Sequence, residues 1–328
     1  MTLNRIADST SHSAANSSST PAVFIDGEAG TTGLQIGGRL AQLSSVSVIS
    51  IDHDHRKDPA ARRAMMAESD LVVLCLPDDA AKQAVALAGS LGDAAPKIVD
   101  ASTAHRTSKG WVYGFPEMTP TQSGKIKKAR RVANPGCYAS GAIALIKPLI
   151  EAGFIAPDDP LTINAVSGYS GGGKAMIADY ESGNGPAFQL YGLGLDHKHI
   201  PEIMAHSGLT RQPLLVPSVA AFAQGMLVSL PLQLDSLEQP PSLSDLDELF
   251  NAYYANAGAK VHYHYNGEEA ACHANKLQVD PVKGSDTMDL WVFGNEAEHQ
   301  ALLVARLDNL GKGAAGAAVQ NIELMLGL

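Results

Sequence analysis

Between residues 22 and 100 the chain alternates short, wholly apolar runs with stretches of helical periodicity, and this alternation restricts the fold more than any other feature. Runs at 22–26, 46–51, 71–76 and 97–100 predict strands, the first breaking at Gly27, the second at Asp52 and the third at Pro77. Leu34, Ile36, Leu40 and Leu43 recur at helical spacing, and further helices are predicted through 62–68 and over 79–91. Strands apolar on both faces and separated by helices indicate βαβ units and a parallel sheet covered on both sides.

After about Pro135 the pattern changes. Strand-like pieces at 162–166, 226–232 and 288–293 lie between long polar loops, which predicts an α+β domain with a mixed or antiparallel sheet. Residues 300–309 read as a helix, and 314–328 as a last one. A chain of 328 residues predicts two domains sharing a cleft, and a 45% hydrophobic fraction can fill their cores. The Ser-rich start, residues 1–20, lacks both bulky apolar side chains and the apolar centre of a secretory signal, and reads as a disordered tail. No apolar run approaches the roughly 20 residues that span a bilayer. A net charge of -10 argues against nucleic-acid or anionic-membrane partners.

The turn Gly27-Glu-Ala29-Gly30-Thr31-Thr32-Gly33 joins the first strand to the first helix. Glycines there permit a tight turn and close approach of a dinucleotide diphosphate to a helix N-terminus. The spacing GxxGxxG is weak evidence alone; its place at the first βα turn strengthens it. At the end of strand two, Asp52 suits the ribose hydroxyls of NAD, whereas His53, Arg56 and Lys57 suit the 2′-phosphate of NADP.

Three cysteines, Cys75, Cys137 and Cys272, form no zinc or disulfide spacing, and a reducing cytosol is the simplest compartment. Cys75 lies inside an apolar strand and reads as core. Cys137 opens a helical segment after Asn134-Pro-Gly, where a helix dipole would stabilise its thiolate and backbone N–H groups would hold an oxyanion. A proton-transfer partner is sought in Asp196-His197-Lys198-His199-Ile-Pro201-Glu202. Two histidines two residues apart point to opposite sides of an extended chain, so one of them is expected to face the thiol. His262, His264 and His273 complete no metal-ligand pattern and read as structural or exposed.

The chain resembles the N-acetyl-gamma-glutamyl-phosphate reductases in their shorter second type. The stretches that carry the resemblance are IDGEAGTTGLQI (25–36), CLPDDAA (75–81), DASTAHR (100–106), YGFPEM (113–118), VANPGCYASGAIALI (132–146), AVSGYSGGGK (165–174), HKHIPE (197–202), PSVAAFAQGM (217–226) and DNLGKGAAGAAVQN (308–321). They run in family order from about residue 22 to the end. The resemblance implies an α/β protein: a Rossmann-type NADP-binding domain over 21–135 and 310–328, and an α+β catalytic and dimerisation domain over 136–309. It implies a cytoplasmic homodimer or homotetramer that reduces a small acyl phosphate, N-acetyl-L-glutamyl 5-phosphate, to the 5-semialdehyde with NADPH, through a thioester.

Carried over by residue, the nucleophile falls on Cys137 and the catalytic histidine on His199, with His197 as a second catalytic or substrate contact. The glycine turn, with Asp52 and Arg56, Cys75, Leu76, Pro77, Ser102, Gly168, Ser170, Gly171 and Asn309, is placed on the cofactor. Arg106, Asn134, Lys174 and His197 are placed on the substrate. The alternatives are an aspartate-semialdehyde dehydrogenase, which shares architecture and thioester chemistry, and a non-catalytic NADPH-sensing protein whose Cys137 would not be hyper-reactive.

Overall fold

The computed structural model describes residues 20–52, 54–256, 258–265, 272–273 and 276–328; the expectations for tail residues 1–19, for His53 and for the His273 side chain lie outside the described residues. The first sheet is built from β1 (Ala22–Asp26), β2 (Ser47–Ile49), β3 (Leu71–Leu74), β4 (Lys97–Asp100), β5 (Val112–Tyr113) and β6 (Arg131–Ala133). All pairs are parallel, in the order β2-β1-β3-β4-β6-β5. Alternation within each strand decides which side chain faces which layer. Val23, Ile25, Leu71, Val73 and Val99 meet Ile36 and Leu40 of α1 (Thr31–Leu40) and Ile126 of α4 (Gln122–Lys128). Their neighbours Phe24, Val72, Leu74 and Ile98 meet Met66 of α2 (Pro59–Ala67) and Ala81, Ala84 and Ala88 of α3 (Asp78–Gly89). The small alanine face lets α3 sit close to the sheet. The chain's end returns to the first layer, where Ala318, Ile322 and Met325 of its last helix (Gly316–Leu326) join that core.

The second sheet contains β7 (Thr162–Gly168), β8 (Phe188–Leu190), β9 (Leu214–Ala220), β10 (Met226–Gln233), β11 (Val261–Tyr263), β14 (Met288–Asn295) and β15 (Gln300–Leu307); β12 (Cys272–His273) and β13 (Lys276–Leu277) form a separate ladder. Its order is β11-β14-β15-β10-β7-β9-β8, with parallel pairs at β11–β14 and β7–β9 and antiparallel pairs elsewhere, so it is mixed.

Residues 300–309, expected as a helix, instead form β15. Ala, Leu and Arg favour a helix locally, but the segment is paired along its length with β10 on one side and β14 on the other. An apolar run that supplies a central strand carries no period-2 signal to betray it.

One face of this sheet is covered by α5 (Cys137–Glu151) and α8 (Leu243–Tyr254); α6 (Gly173–Glu181) and α7 (Ile200–Ser207) complete the unit before α9, the Gly316–Leu326 helix. Ile143, Ile146 and Leu149 of α5 are fully buried, each contributing roughly 1.5–3 kcal/mol. A Cβ on Gly141 would come within 2.8 Å of Val228, so this glycine lets α5 lie directly on β10. Pro148 interrupts the helix ladder, because proline donates no N–H to the carbonyl four residues back. That carbonyl, Ala144 O, accepts the Tyr254 hydroxyl at 2.7 Å instead.

Candidate active site

The two units meet at a cleft of about 320 Å³, lined by Thr31, Thr32, Ala101 and Arg106 from the first and by Cys137, Tyr138, Ser170, His197, Lys198 and His199 from the second. Helix α5 begins at Cys137, and its N-cap Gly136 offers no side chain to cap the first turn. A Cβ on Gly136 would overlap His199 Nε2, Arg106 Nη1 and Glu202 Oε1, so only glycine admits these three groups beside Cys137. Behind Cys137 the chain makes a π-helical turn over Gly311–Ala315, and a Cβ on Gly313 would be 2.8 Å from that of Cys137.

Glu202, on the first turn of α7, is 1% exposed. Its carboxylate accepts from Arg106 Nη1 at 2.6 Å, the Tyr113 hydroxyl at 2.7 Å and the Gly136 N–H at 3.0 Å. Three donors and an opposite charge offset the cost of burying a carboxylate. His199 Nε2 lies 3.9 Å from the same carboxylate. His206 closes the cluster: it stacks on Tyr113 with centroids 3.7 Å apart, and its Nε2 lies 2.7 Å from Arg106 O.

His197 and His199 do not point apart. The segment turns into α7, the His199 N–H donates to His197 Nδ1 at 3.1 Å, and the rings meet edge-on at 4.7 Å. Both rings lie within 6 Å of the Tyr138 ring and both line the cleft. The opposite-sides rule assumed extended backbone, which this turn lacks.

Burial holds His199 well below the usual histidine range, and Arg106, His197 and Lys198 push it further down. Burial also lowers His197. The Cys137 thiol is pushed up by burial, against the smaller opposing effects of the Tyr138 N–H and Arg106. At rest the site therefore holds a thiol and a neutral imidazole. The thiolate stabilisation expected from the helix end is present in the Tyr138 N–H but is outweighed. Hyper-reactivity of Cys137 thus does not separate an enzyme from a nucleotide sensor. The Nδ1 of His199 is buried without a hydrogen-bond partner among the described residues, so nothing at rest fixes its tautomer.

At the glycine turn, Gly27 takes φ +93°, and a Cβ there would overlap the carbonyl of Cys75. One on Gly33 would stand 2.5 Å from Gly27 O. These two glycines shape the turn against β3 and α1, leaving Gly30 as the uncapped start of α1. Cys75 and Leu76 meet Gly27 from the end of β3, and Pro77 caps α3. Burial raises the Cys75 thiol to about 12.

Other expected positions are distributed unevenly. Ser102 is held by Asp100 through its N–H and hydroxyl. Asn309 accepts from the Gly225 N–H at 2.9 Å and donates to Ser170 Oγ at 2.9 Å, tying Ser170 and Gly171 to the cleft wall. The Asn134 side chain is turned inward, donating to Ala314 O. Lys174 lies outside the lining: its ammonium donates to Ala29 O at 2.6 Å, bridging to the glycine turn. Asp52 and Arg56 are exposed beyond β2 and do not line the cleft. His262 and His264 face Asp289, which also holds Arg306. No group of three metal-ligating side chains occurs among the described residues.

Sequence reasoning gives neither Glu202 nor Tyr113 a role of its own. Glu202 enters it only as the end of the segment holding the two histidines, and only the folded chain brings Tyr113 and Gly136 to it.

The family described as "Semialdehyde dehydrogenase, NAD binding domain" matches residues 30–126, and "Semialdehyde dehydrogenase, dimerisation domain" matches 137–309. The chain is 47% identical to N-acetyl-gamma-glutamyl-phosphate reductase 2 of Nostoc sp., over 94% of this chain and 97% of that protein. It is 48% identical to N-acetyl-gamma-glutamyl-phosphate reductase of Brucella suis, over 94% and 99%. Among solved structures it is similar to aspartate semialdehyde dehydrogenase II from Vibrio cholerae, with a TM-score of 0.69 at 15% identity over 94% of this chain and 99% of that one. Aspartate semialdehyde dehydrogenase with NADP from Candida albicans gives 0.64 at 14%, over 93% and 98%. At such identities the solved structures show the fold alone.

Proposed function

Since the chain belongs to the N-acetyl-gamma-glutamyl-phosphate reductases, we propose that it reduces N-acetyl-L-glutamyl 5-phosphate to the 5-semialdehyde and phosphate, with NADP(H) as cofactor. The observation that carries this reading is the seating of Cys137 beside a neutral His199, in a cleft shared with the glycine turn. The aspartate-semialdehyde alternative is supported only by fold likeness at 15% identity.

The glycine turn suits a dinucleotide. Helix α1 starts at Gly30 without a side-chain cap or an acid in its first turn, so its free N–H groups are open to a diphosphate, with Thr31 and Thr32 on the cleft wall. When bound, NADPH supplies the hydride. The chain's own groups handle the rest. His199 takes the Cys137 proton as sulfur bonds to the acyl carbon. The carbon–oxygen bond to phosphate breaks, the phosphate leaves with the electron pair, and the imidazolium returns the proton to it. A thioester remains on Cys137. After reduction the alkoxide collapses, the carbon–sulfur electrons return to sulfur, and a proton from solvent, passed through His199, restores the thiol. A thiol serves because it both attacks and departs readily. Residues 21–135 with 310–328 form the cofactor unit in this reading, and 136–309 the catalytic and dimerisation unit.

The second sheet's face opposite α5 and α8 suits a homodimer. Phe188, Leu190 and Leu302 are exposed there around an apolar hollow of about 760 Å³. A Leu302→Arg chain sedimenting as a monomer would support this; an unchanged mass would remove it. We place the reaction in the cytoplasm, where thiols stay reduced. No helix among the described residues is long and apolar enough to cross a membrane.

The activity is tested in reverse. Purified protein, N-acetylglutamate 5-semialdehyde, phosphate and NADP should give phosphate-dependent NADPH absorbance, lost in Cys137→Ala. Turnover of aspartate semialdehyde instead would overturn the substrate.

A further inference from the structure

An acyl phosphate with a free carboxylate is a polyanion, and it must enter a cleft on a chain of net charge -10. No aspartate or glutamate stands among the described lining residues, and the cations there are Arg106 and Lys198. Arg106 is already engaged. Its Nη1 bonds Glu202, its Nε donates to Asn134 O at 3.0 Å, and the Arg106–Glu202 pair is almost fully buried. Together the pair is neutral. Burial keeps His197 and His199 on the neutral side. Lys174 is spent on the glycine turn's Ala29 carbonyl.

Lys198 is different. It sits between the two cleft histidines, is exposed, and makes no ion pair or hydrogen bond among the described residues. Asp78, outside the lining, feels its charge, but its carboxylate is bonded by the Thr103 N–H and hydroxyl at 3.0 and 2.5 Å rather than by the ammonium. The lining therefore carries one positive charge with no directly bonded carboxylate among the described residues, on a flexible stem close enough to act on Cys137 and His199.

We propose that Lys198 is the anion receptor of the cleft, taking the carboxylate or the phosphoryl group of the substrate. This rests on the functional reading above. A mobile ammonium suits that role, since it is a point charge that can follow an anion as the acyl group moves from phosphate to sulfur. The reverse reaction separates the two sources, because carboxylate and phosphate then arrive on different molecules.

The experiment compares wild type, Lys198→Met and Lys198→Arg. Met keeps the stem and removes the charge; Arg restores it. The KM for semialdehyde or for phosphate should rise about tenfold to a hundredfold in the Met variant, the KM for NADP should hold, and Arg should recover most of the loss. A rise confined to semialdehyde assigns the carboxylate, and one confined to phosphate assigns the phosphoryl group. A second readout needs no turnover: protection of Cys137 from iodoacetamide at pH 9 by phosphate or by N-acetylglutamate. Protection should weaken about tenfold in Lys198→Met. If wild type turns over no semialdehyde, the functional reading falls while protection still decides Lys198. Equal KM values and equal protection in wild type and Lys198→Met would overturn the proposal.

Discussion

Helices α1 and α5 both begin at a glycine with extended backbone and no side-chain cap, Gly30 (φ -74°, ψ 162°) and Gly136 (φ -78°, ψ 148°), yet their first turns serve different ends. The start of α1 is partly exposed and holds no acid, so its N–H groups await an anion from outside. The start of α5 is buried and already supplied: Glu202 accepts the Gly136 N–H, and the Tyr138 N–H is turned to the Cys137 sulfur. The same local geometry leaves free N–H groups where solvent reaches it, the docking point proposed above, and makes a positioning device where a second helix brings a carboxylate.

The strongest break in this comparison is Cys137→Ser. Turnover should fall about a thousandfold or more, because a serine alkoxide neither forms nor departs easily at this site. NADP affinity, which the proposed cofactor site assigns to α1, should stay within twofold by fluorescence titration, roughly the scatter of an uncoupled site. Turnover within tenfold of wild type would remove the nucleophile from Cys137.

Next comes the pair Gly136→Ala and Gly30→Ala. The new methyl on 136 overlaps His199, Arg106 and Glu202, so kcat should drop about a hundredfold, with a cost of about 1–3 kcal/mol in denaturant melts. On 30 the methyl comes 3.3 Å from Gly27 O, and in the proposed cofactor site it would stand over the diphosphate's approach. The KM for NADPH should rise about tenfold, while stability should change by about 0.5 kcal/mol or less. A matching pattern in the two variants would mean the two helix starts are not specialised.

Legibility in the sequence follows the same division. The first sheet was readable because β1, β3 and β4 are covered on both faces and interrupted by helices, which leaves continuous apolar runs. β5 and β6 were not, being two and three residues long and identified only by pairing. β15 was misread as a helix because its strand character comes from β10 and β14. At the site, the place of Cys137 at a helix start was legible from the glycine before it. Arg106 was read as a substrate contact, but its engagement with Glu202 depends on residues 96 positions apart. Lys174 likewise looked like a substrate residue until the fold carried it to Ala29.

The smallest expected effect is a shift in pH dependence at α5 with none at α1. Burial raises the Cys137 thiol, and Glu202 adds to the rise, because a nearby negative charge disfavours a thiolate. Thiolate is the reactive form, so below its pKa the iodoacetamide rate should climb about tenfold per pH unit. The rise should continue through the ordinary thiol range without a plateau near neutrality, where a thiolate–imidazolium pair would already be level. Glu202→Gln keeps an acceptor for Tyr113 and Gly136 but removes the charge and leaves Arg106 uncompensated. Both changes favour the thiolate, so the limb moves toward acid and the rate at pH 8 should increase roughly threefold. NADP affinity should not follow, since the carboxylate touches nothing at α1. A limb that stays put, or moves toward alkali, would mean that Glu202 shapes α5 without acting electrostatically on its sulfur.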